Sequence, residues 1–213
     1  MEMVIRPASA GDAGPIAYAA YLAGQGHCQA STYDLMVPGR PGPTAGRIYL
    51  IKRLVEADTV CWLHYSHYYV AEADGRVAAS VGAFRAIDSG NVAFVAALRE
   101  TGWTDEEIAR MSVDVRIYTR VEPPVPRDAW MIENAAVLPP FRRMGLMTAL
   151  LEAVIDEGQA SGQKRALLAC HMGNDAALRL YQRAGFEITG QLTDLEFEAV
   201  FGCPGMWQMT RDL

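Results

Sequence analysis

The sequence predicts an α/β fold: a mixed central β-sheet flanked by helices, with a helical insertion before the central strand. Three observations predict it. Residues 67–84, "HYYVAEADGRVAASVGAF", place two β-prone apolar runs on either side of Asp74-Gly75, a favoured two-residue hairpin turn. Residues 129–188 alternate buried-looking strands with amphipathic helices, the signature of parallel crossover units. Between these blocks, residues 91–113 carry helical periodicity where a short connection would suffice.

Taken in order, "MVIRPA" (3–8) alternates as a first strand, and "GDAGPIAYAAYLAG" (11–24) follows as a helix with Asp12 as candidate cap. "VPGRPGPTAG" (37–46) is a Pro/Gly loop. Residues 47–57 have helical spacing, with Ile48, Ile51, Leu54 and Val55 on one side. Residues 91–102 and 104–113 form two short helices; Thr104 and Glu107 stand in capping-box positions for the second. "RVEPPVPRD" (120–128) is an irregular connection. "AWMIENAAV" (129–137) is a central strand, with a helix from about Gly145 to Ala160 behind it. "RALLACHM" (165–172) is a further strand. "NDAALRLYQRAGFEI" (174–188) is a helix running into a strand, with Asn174 as N-cap and Gly185 as stop. "GMWQMTRDL" closes the chain as a last strand.

Composition excludes several function classes. A net charge of −6 argues against a nucleic-acid groove, and no apolar run reaches the length of a membrane span. The N-terminus has neither the basic nor the apolar stretch of a secretion signal, which leads us to expect a cytoplasmic protein. Cys28, Cys61, Cys170 and Cys203 are scattered without metal-ligand spacing, so free thiols and no metal are expected. His64 and His67 sit in a strand-like aromatic run, where that spacing puts them on opposite faces, poor geometry for a metal. Trp62, Tyr65, Tyr68 and Tyr69 are expected as core and cleft wall.

The segment "PPFRRMGLMTAL" (139–150) breaks the usual rules for a helix start. Helices begin with a capping Ser, Thr, Asp or Asn and with acidic first turns, because free N–H groups and the positive dipole end favour them. Here no capping side chain is present, and Arg142 and Arg143 add positive charge. Free N–H groups, dipole and guanidinium together make an anion site suited to phosphate or pyrophosphate. Gly145 would let the backbone approach such a ligand. Solvated arginines at an ordinary helix start are the plainer alternative. Met147, Leu150, Leu151, Val154 and Ile155 form the apolar stripe of the helix.

"VLPPFRRMGLMTALL" resembles the acetyl-CoA-binding motif of the GNAT superfamily of N-acetyltransferases, V-x-P-x-x-(R/Q)-x-x-G-x-(G/A). "NDAALRLYQRAGF" resembles the second motif, N-x-x-A-x-x-L-Y-x-x-x-G-F, and "VIRPASAGDAGPI" and "YYVAEADGRVAASVGAF" resemble the first strand and helix and the next two strands. The resemblance implies a single domain over 1–213 with an atypical insertion at about 85–128. The sequence departs at Met147, where Gly or Ala is usual.

The resemblance further implies an enzyme that moves an acetyl group from acetyl-CoA to an amine, on a small molecule or a peptide, by direct attack in a ternary complex. The backbone of Arg142, Arg143, Met144, Gly145, Leu146 and Met147 would cradle the coenzyme A pyrophosphate. Ala135 and Val137 would pair with the pantetheine arm like an added strand, and the Val137 N–H would polarise the thioester carbonyl. Asn174 would bond the pantetheine while also capping its helix. Tyr181 would be the acid that protonates the thiolate, although by spacing it also packs with Ala177 and Ala184. From the residues themselves, Glu133 is the candidate base. It is the one acidic residue in its strand, on a face with Met131, Ala135 and Val137 unless a bulge resets the facing, and apolar neighbours would raise its pKa. His171 is the reserve base. The rival reading, favoured by Met147, is a non-catalytic acyl-CoA-binding or sensory module. Beyond the acceptor no macromolecular partner is expected, neither nucleic acid nor membrane, and the protein would be a monomer or homodimer.

Overall fold

The computed structural model describes residues 2–36, 44–88 and 90–213. Among the described residues seven strands form one sheet: β1 (Met3–Pro7), β2 (Tyr68–Ala73), β3 (Arg76–Arg85), β4 (Trp130–Val137), β5 (Arg165–His171), β6 (Glu187–Thr193) and β7 (Gly205–Asp212). Their order is β1-β2-β3-β4-β5-β7-β6. Only β4 and β5 run parallel; every other neighbouring pair is antiparallel. That parallel pair needs a crossover, and α7 (Leu146–Ala160) supplies it. The β2–β3 turn is the expected Asp74-Gly75, with φ values of 49° and 74°, the left-handed pair a two-residue hairpin demands.

The other helices are α1 (Ala13–Gln25), α2 (Thr32–Met36), α3 (Thr44–Val55), α4 (Asn91–Glu100), α5 (Asp105–Asp114), α6 (Arg116–Thr119), α8 (Asp175–Arg183) and α9 (Leu195–Phe201). The insertion is helical, as its periodicity predicts. The Thr104 hydroxyl accepts from the Glu107 N–H at 3.2 Å, and the Glu107 carboxylate accepts from the Thr104 N–H at 2.9 Å. Four details differ from the sequence reading. Residues 65–67 form a 3-10 turn rather than part of a strand, with His64 as its cap, so the argument from opposite strand faces does not apply. Asp12 stands at the N-cap of α1, but its carboxylate takes no helical N–H; Arg6 and Ser9 hold it instead. The short helices α2, α6 and α9 carry too few turns to show periodicity. Residues 37–43 of the predicted Pro/Gly loop lie outside the described residues, and 44–46 already belong to α3.

The sheet has a core on each face. On one, α1, α3, α4 and α5 bury Ile16, Ile51, Leu54, Phe94 and Leu98 against Tyr68 and Val70. On the other, the α7 stripe of Met147, Leu150, Leu151, Val154 and Ile155 packs on Val81, Trp130, Ile132 and Leu168. Trp130 locks α7 to β4: its indole N–H donates to the Val154 carbonyl at 2.8 Å. A Cβ at Gly158 would come within 2.8 Å of that indole, so the close approach of the helix requires glycine there.

Candidate active site

The sheet opens along the second half of β4. β4 and β5 pair only at Trp130↔Ala166 and Met131↔Leu167, whereas β5 pairs with β7 along its whole length. Beyond Met131 the two parallel strands part, and among the described residues the rest of β4 has no strand partner on its β5 side. The Leu138 N–H donates to Ala78 of β3 at 2.8 Å. Alternation along the strand then turns the N–H groups of Val137 and Ala135 away from β3, into the gap.

β4 also carries a bulge. Its register against β3 shifts between Ser80 and Gly82, and Asn134 is left-handed at φ 52°, a conformation asparagine tolerates better than most residues. The bulge corrects one expectation. Trp130 and Ile132 face α7, and so do Ala135 and Val137, so the side chains change parity between them. Glu133 shares the Met131 face, but not the face of Ala135 and Val137. Asn134 points to the same side as Glu133. Its side-chain carbonyl accepts from the Tyr33 hydroxyl at 2.8 Å, and its amide donates to the Tyr68 hydroxyl at 3.0 Å.

Glu133 is partly exposed, and no hydrogen bond or ion pair engages its carboxylate among the described residues. Burial pushes its pKa up to about 7, and the Glu122 carboxylate adds to the shift. Glu122, exposed at its own surface, is raised by desolvation from the groups packed around it. Tyr33, Tyr68 and Tyr118 all feel the Glu133 charge, so three buried or half-buried phenols lie within electrostatic range of this carboxylate. Sequence reasoning missed Tyr33, Tyr118, Glu122 and Asn134. The one local signal was Glu-Asn in the middle of an apolar strand, a break in the run that marks the bulge.

Tyr181 lies on the opposite face, with α7. It is 9% exposed, its ring sits edge-on to Phe186 at 6.3 Å, and Ala177 and Ala184 border the same core. Its hydroxyl makes no hydrogen bond among the described residues, and burial, with the nearby Cys170, raises its pKa and keeps it protonated. His171, at the end of β5, is 5% exposed, and its Nε2 has no partner among the described residues. Burial, with His27 beside it, lowers its pKa to about 4. It is neutral near pH 7, and a far weaker base than Glu133. Asn174 caps α8, accepting from the Ala177 N–H at 3.2 Å.

The 139–147 turn has the form its sequence foretells. Pro139–Phe141 make a 3-10 turn, and both Arg143 (φ 67°) and Gly145 (φ 77°) are left-handed. Left-handed residues in a turn direct successive N–H groups to one side, the geometry that cradles anions. No side chain caps α7, and its first turn holds no acidic residue. Arg142, Arg143 and Met144 are exposed, and neither arginine pairs with a carboxylate among the described residues. A non-glycine residue at φ 67° is strained by about 1 kcal/mol or more, and such strain collects at functional turns. Leu146 and Met147 turn inward and are 1% and 7% exposed. The methionine fills the core rather than the space above the turn.

Among the described residues no group of His, Cys, Asp and Glu side chains could hold a metal, and no helix is long and apolar enough to cross a membrane. A profile of the acetyltransferase (GNAT) family matches residues 43–186, about two thirds of the chain. No curated protein of similar sequence matches. Solved structures do. An N-acetyltransferase from Staphylococcus aureus Mu50 is 21% identical, with TM-score 0.68 over 97% of this chain and 98% of the other. Another acetyltransferase, also 21% identical, gives 0.70 over 98% of each chain. The protein yncA from Salmonella typhimurium, solved with its cofactor acetyl-CoA, is 18% identical, with TM-score 0.55 over 99% of this chain and 94% of the other. At these identities the likeness is one of fold. The family profile, covering both motifs and the strands between them, shows that the chain belongs to the GNAT family of acetyltransferases.

Proposed function

We propose that the protein is an acetyl-CoA-dependent N-acetyltransferase that acetylates an amine, on a small molecule or a peptide, by direct attack within a ternary complex. The observation that carries this reading is the parting of β4 from β5 with Glu133 on one face and Tyr181 on the other. An extended thioester arm laid along the unpaired edge of β4 would have a base on the amine side and an acid on the thiol side. Coenzyme A is bound as substrate: the N–H groups of residues 142–147 receive its pyrophosphate, Ala135 and Val137 pair with the pantetheine, and Asn174 bonds it from across the gap.

Glu133 takes a proton from the incoming ammonium; its pKa near 7 suits that task at neutral pH. The free amine attacks the carbonyl carbon, whose oxygen turns to the Val137 N–H. The adduct collapses, the C–S bond breaks, and the Tyr181 hydroxyl protonates the departing sulfur. The acceptor would enter past Tyr33, Tyr68 and Tyr118, where Glu122 and Glu133, unpaired among the described residues, favour a cation. The reading takes residues 1–213 as one acetyltransferase domain, monomeric or homodimeric, with no metal, nucleic-acid or membrane partner and with a cytoplasmic setting.

Thermal stabilisation by acetyl-CoA, followed by release of free thiol across a panel of amines, tests the proposal. Stabilisation with amine-dependent thiol release supports it. Stabilisation without release under any amine would leave an acyl-CoA-binding module instead.

A further inference from the structure

Two cysteines 175 positions apart in sequence meet in the fold: the Cys28 thiol donates to the Cys203 sulfur at 3.3 Å, and both are buried. Each stands just past a helix end in a left-handed turn. α1 is capped by Gly26 (φ 56°), two residues before Cys28, and α9 by Gly202 (φ 73°), immediately before Cys203. The turns lie backbone to backbone, since the Gln29 N–H donates to the Phe201 carbonyl at 3.1 Å. A Cβ at Gly202 would fall 2.5 Å from the Gln29 amide. The sulfurs are therefore held together by the packing of two turns, not by the flexible reach of their side chains. His27, exposed and with Nδ1 3.9 Å from the Cys28 sulfur, flanks the pair on its solvent side.

We propose that Cys28 and Cys203 form a dithiol–disulfide site, oxidised by a small peroxide and reopened by thiols. The Cys28 hydrogen bond holds Cys203 toward its thiolate. That sulfur attacks one oxygen of hydrogen peroxide; the O–O bond breaks, and the departing hydroxide takes a proton to become water. The product is a Cys203 sulfenic acid. Cys28 then gives its proton to His27 and attacks the Cys203 sulfur. The S–O bond breaks, hydroxide leaves, and it recovers the proton from His27 as the second water. Two thiols and one peroxide thus become one disulfide and two waters. The sulfurs need close by only about 1 Å to reach bonding distance, so the fold need not rearrange. Cys61 and Cys170 have no such neighbour at sulfur contact among the described residues, which makes the site selective.

The bond would join the α1–α2 connection to the start of β7. α2 carries Tyr33 to Asn134, beside Glu133, so the staple stiffens one wall of the cleft. This inference stands apart from the acetyl-transfer reading, since it depends on neither coenzyme nor acceptor.

The test treats the full chain with hydrogen peroxide, alkylates remaining thiols after denaturation, and maps peptides without reduction. The expected result is an intact mass lower by about 2 Da, a peptide linking Cys28 to Cys203, alkylated Cys61 and Cys170, and return of all four thiols with dithiothreitol. The melting temperature should rise on oxidation, and Cys203→Ser should abolish both the rise and the linked peptide, leaving Cys28 as a free, alkylatable thiol. Oxygen adducts on either wild-type cysteine without a linked peptide would overturn the proposal. So would four alkylatable thiols after a dose that oxidises the exposed Met144. The wild-type map decides the matter even if Cys203→Ser fails to fold.

Discussion

The hydroxyl of Tyr33 donates to the side-chain carbonyl of Asn134 at 2.8 Å, across 101 positions of sequence. The Asn134 amide, in turn, donates to Tyr68. This clamp holds the one left-handed residue of β4, and the bulge it secures separates the facing of Glu133 from that of Ala135 and Val137. One amide thus sets both sides of the proposed reaction: the base faces the acceptor, and the strand edge faces the coenzyme.

Removing the clamp should be costly. Tyr33→Phe loses one buried hydrogen bond and leaves the Asn134 carbonyl short of a donor, worth about 1–3 kcal/mol in denaturant melts. Asn134→Ala loses two bonds and puts alanine in a left-handed conformation; it should cost more than Tyr33→Phe. Asn134→Gly keeps the backbone at ease and should recover roughly 1 kcal/mol of the difference. Equal stability of the alanine and glycine variants would mean that the bulge relaxes without the clamp.

The raised pKa of Glu133 makes a stability prediction with a definite sign. The folded value of about 7 lies above the unfolded one near 4.5, so the unfolded chain releases this proton first as pH rises. The stability associated with the protonated form is fully present below about pH 4.5 and is lost as pH rises to about 7. Glu133→Gln should therefore melt at a higher temperature than wild type at about pH 8 and differ little at about pH 4. A constant difference across that range would show that the carboxylate is not held in a desolvated place.

Arg142→Ala and Arg143→Ala should each weaken coenzyme A by about 1 kcal/mol at low salt, and by less at high salt. Arg143→Gly should separate two roles. It removes the same charge but relieves the backbone at φ 67°, so it should bind coenzyme A as poorly as the alanine variant while gaining roughly 1 kcal/mol in stability. Equal affinity of wild type for coenzyme A and for its pantetheine fragment would remove the pyrophosphate assignment.

Met147 belongs to the core, so Met147→Ala should destabilise the free protein by about 2 kcal/mol or more and change acetyl-CoA affinity little. Unaltered melting with tenfold tighter acetyl-CoA binding would place the side chain against the coenzyme.

The fold was legible in the sequence where periodicity ran long. The α7 stripe, the hairpin at Asp74-Gly75 and the capping box at Thr104 all appear where spacing and turn chemistry put them. α2, α6 and α9, at five, four and seven residues, are too short to carry a period, and tertiary packing decides them. The uncapped, arginine-bearing helix start was legible because it violates a local rule. The facing of Ala135 and Val137 relative to Glu133 was not, because a bulge moves every later side chain to the other face and Asn134 alone gives only a hint. Nor could the companions of Glu133 be found: Tyr33, Tyr118 and Glu122 come from segments that share no pattern with β4. The meeting of Cys28 with Cys203 depends on two helix ends packing together, which spacing cannot reveal.

The most direct test of the account is the rate of thiol release from acetyl-CoA, followed against amine concentration and pH in wild type, Glu133→Gln and Tyr181→Phe. The account predicts that wild-type kcat/KM rises through an apparent pKa near 7, that this limb disappears in Glu133→Gln, and that Tyr181→Phe still binds acetyl-CoA with kcat lowered roughly 10²–10⁴-fold. An unchanged kcat in Tyr181→Phe together with an intact acid limb in Glu133→Gln would contradict it.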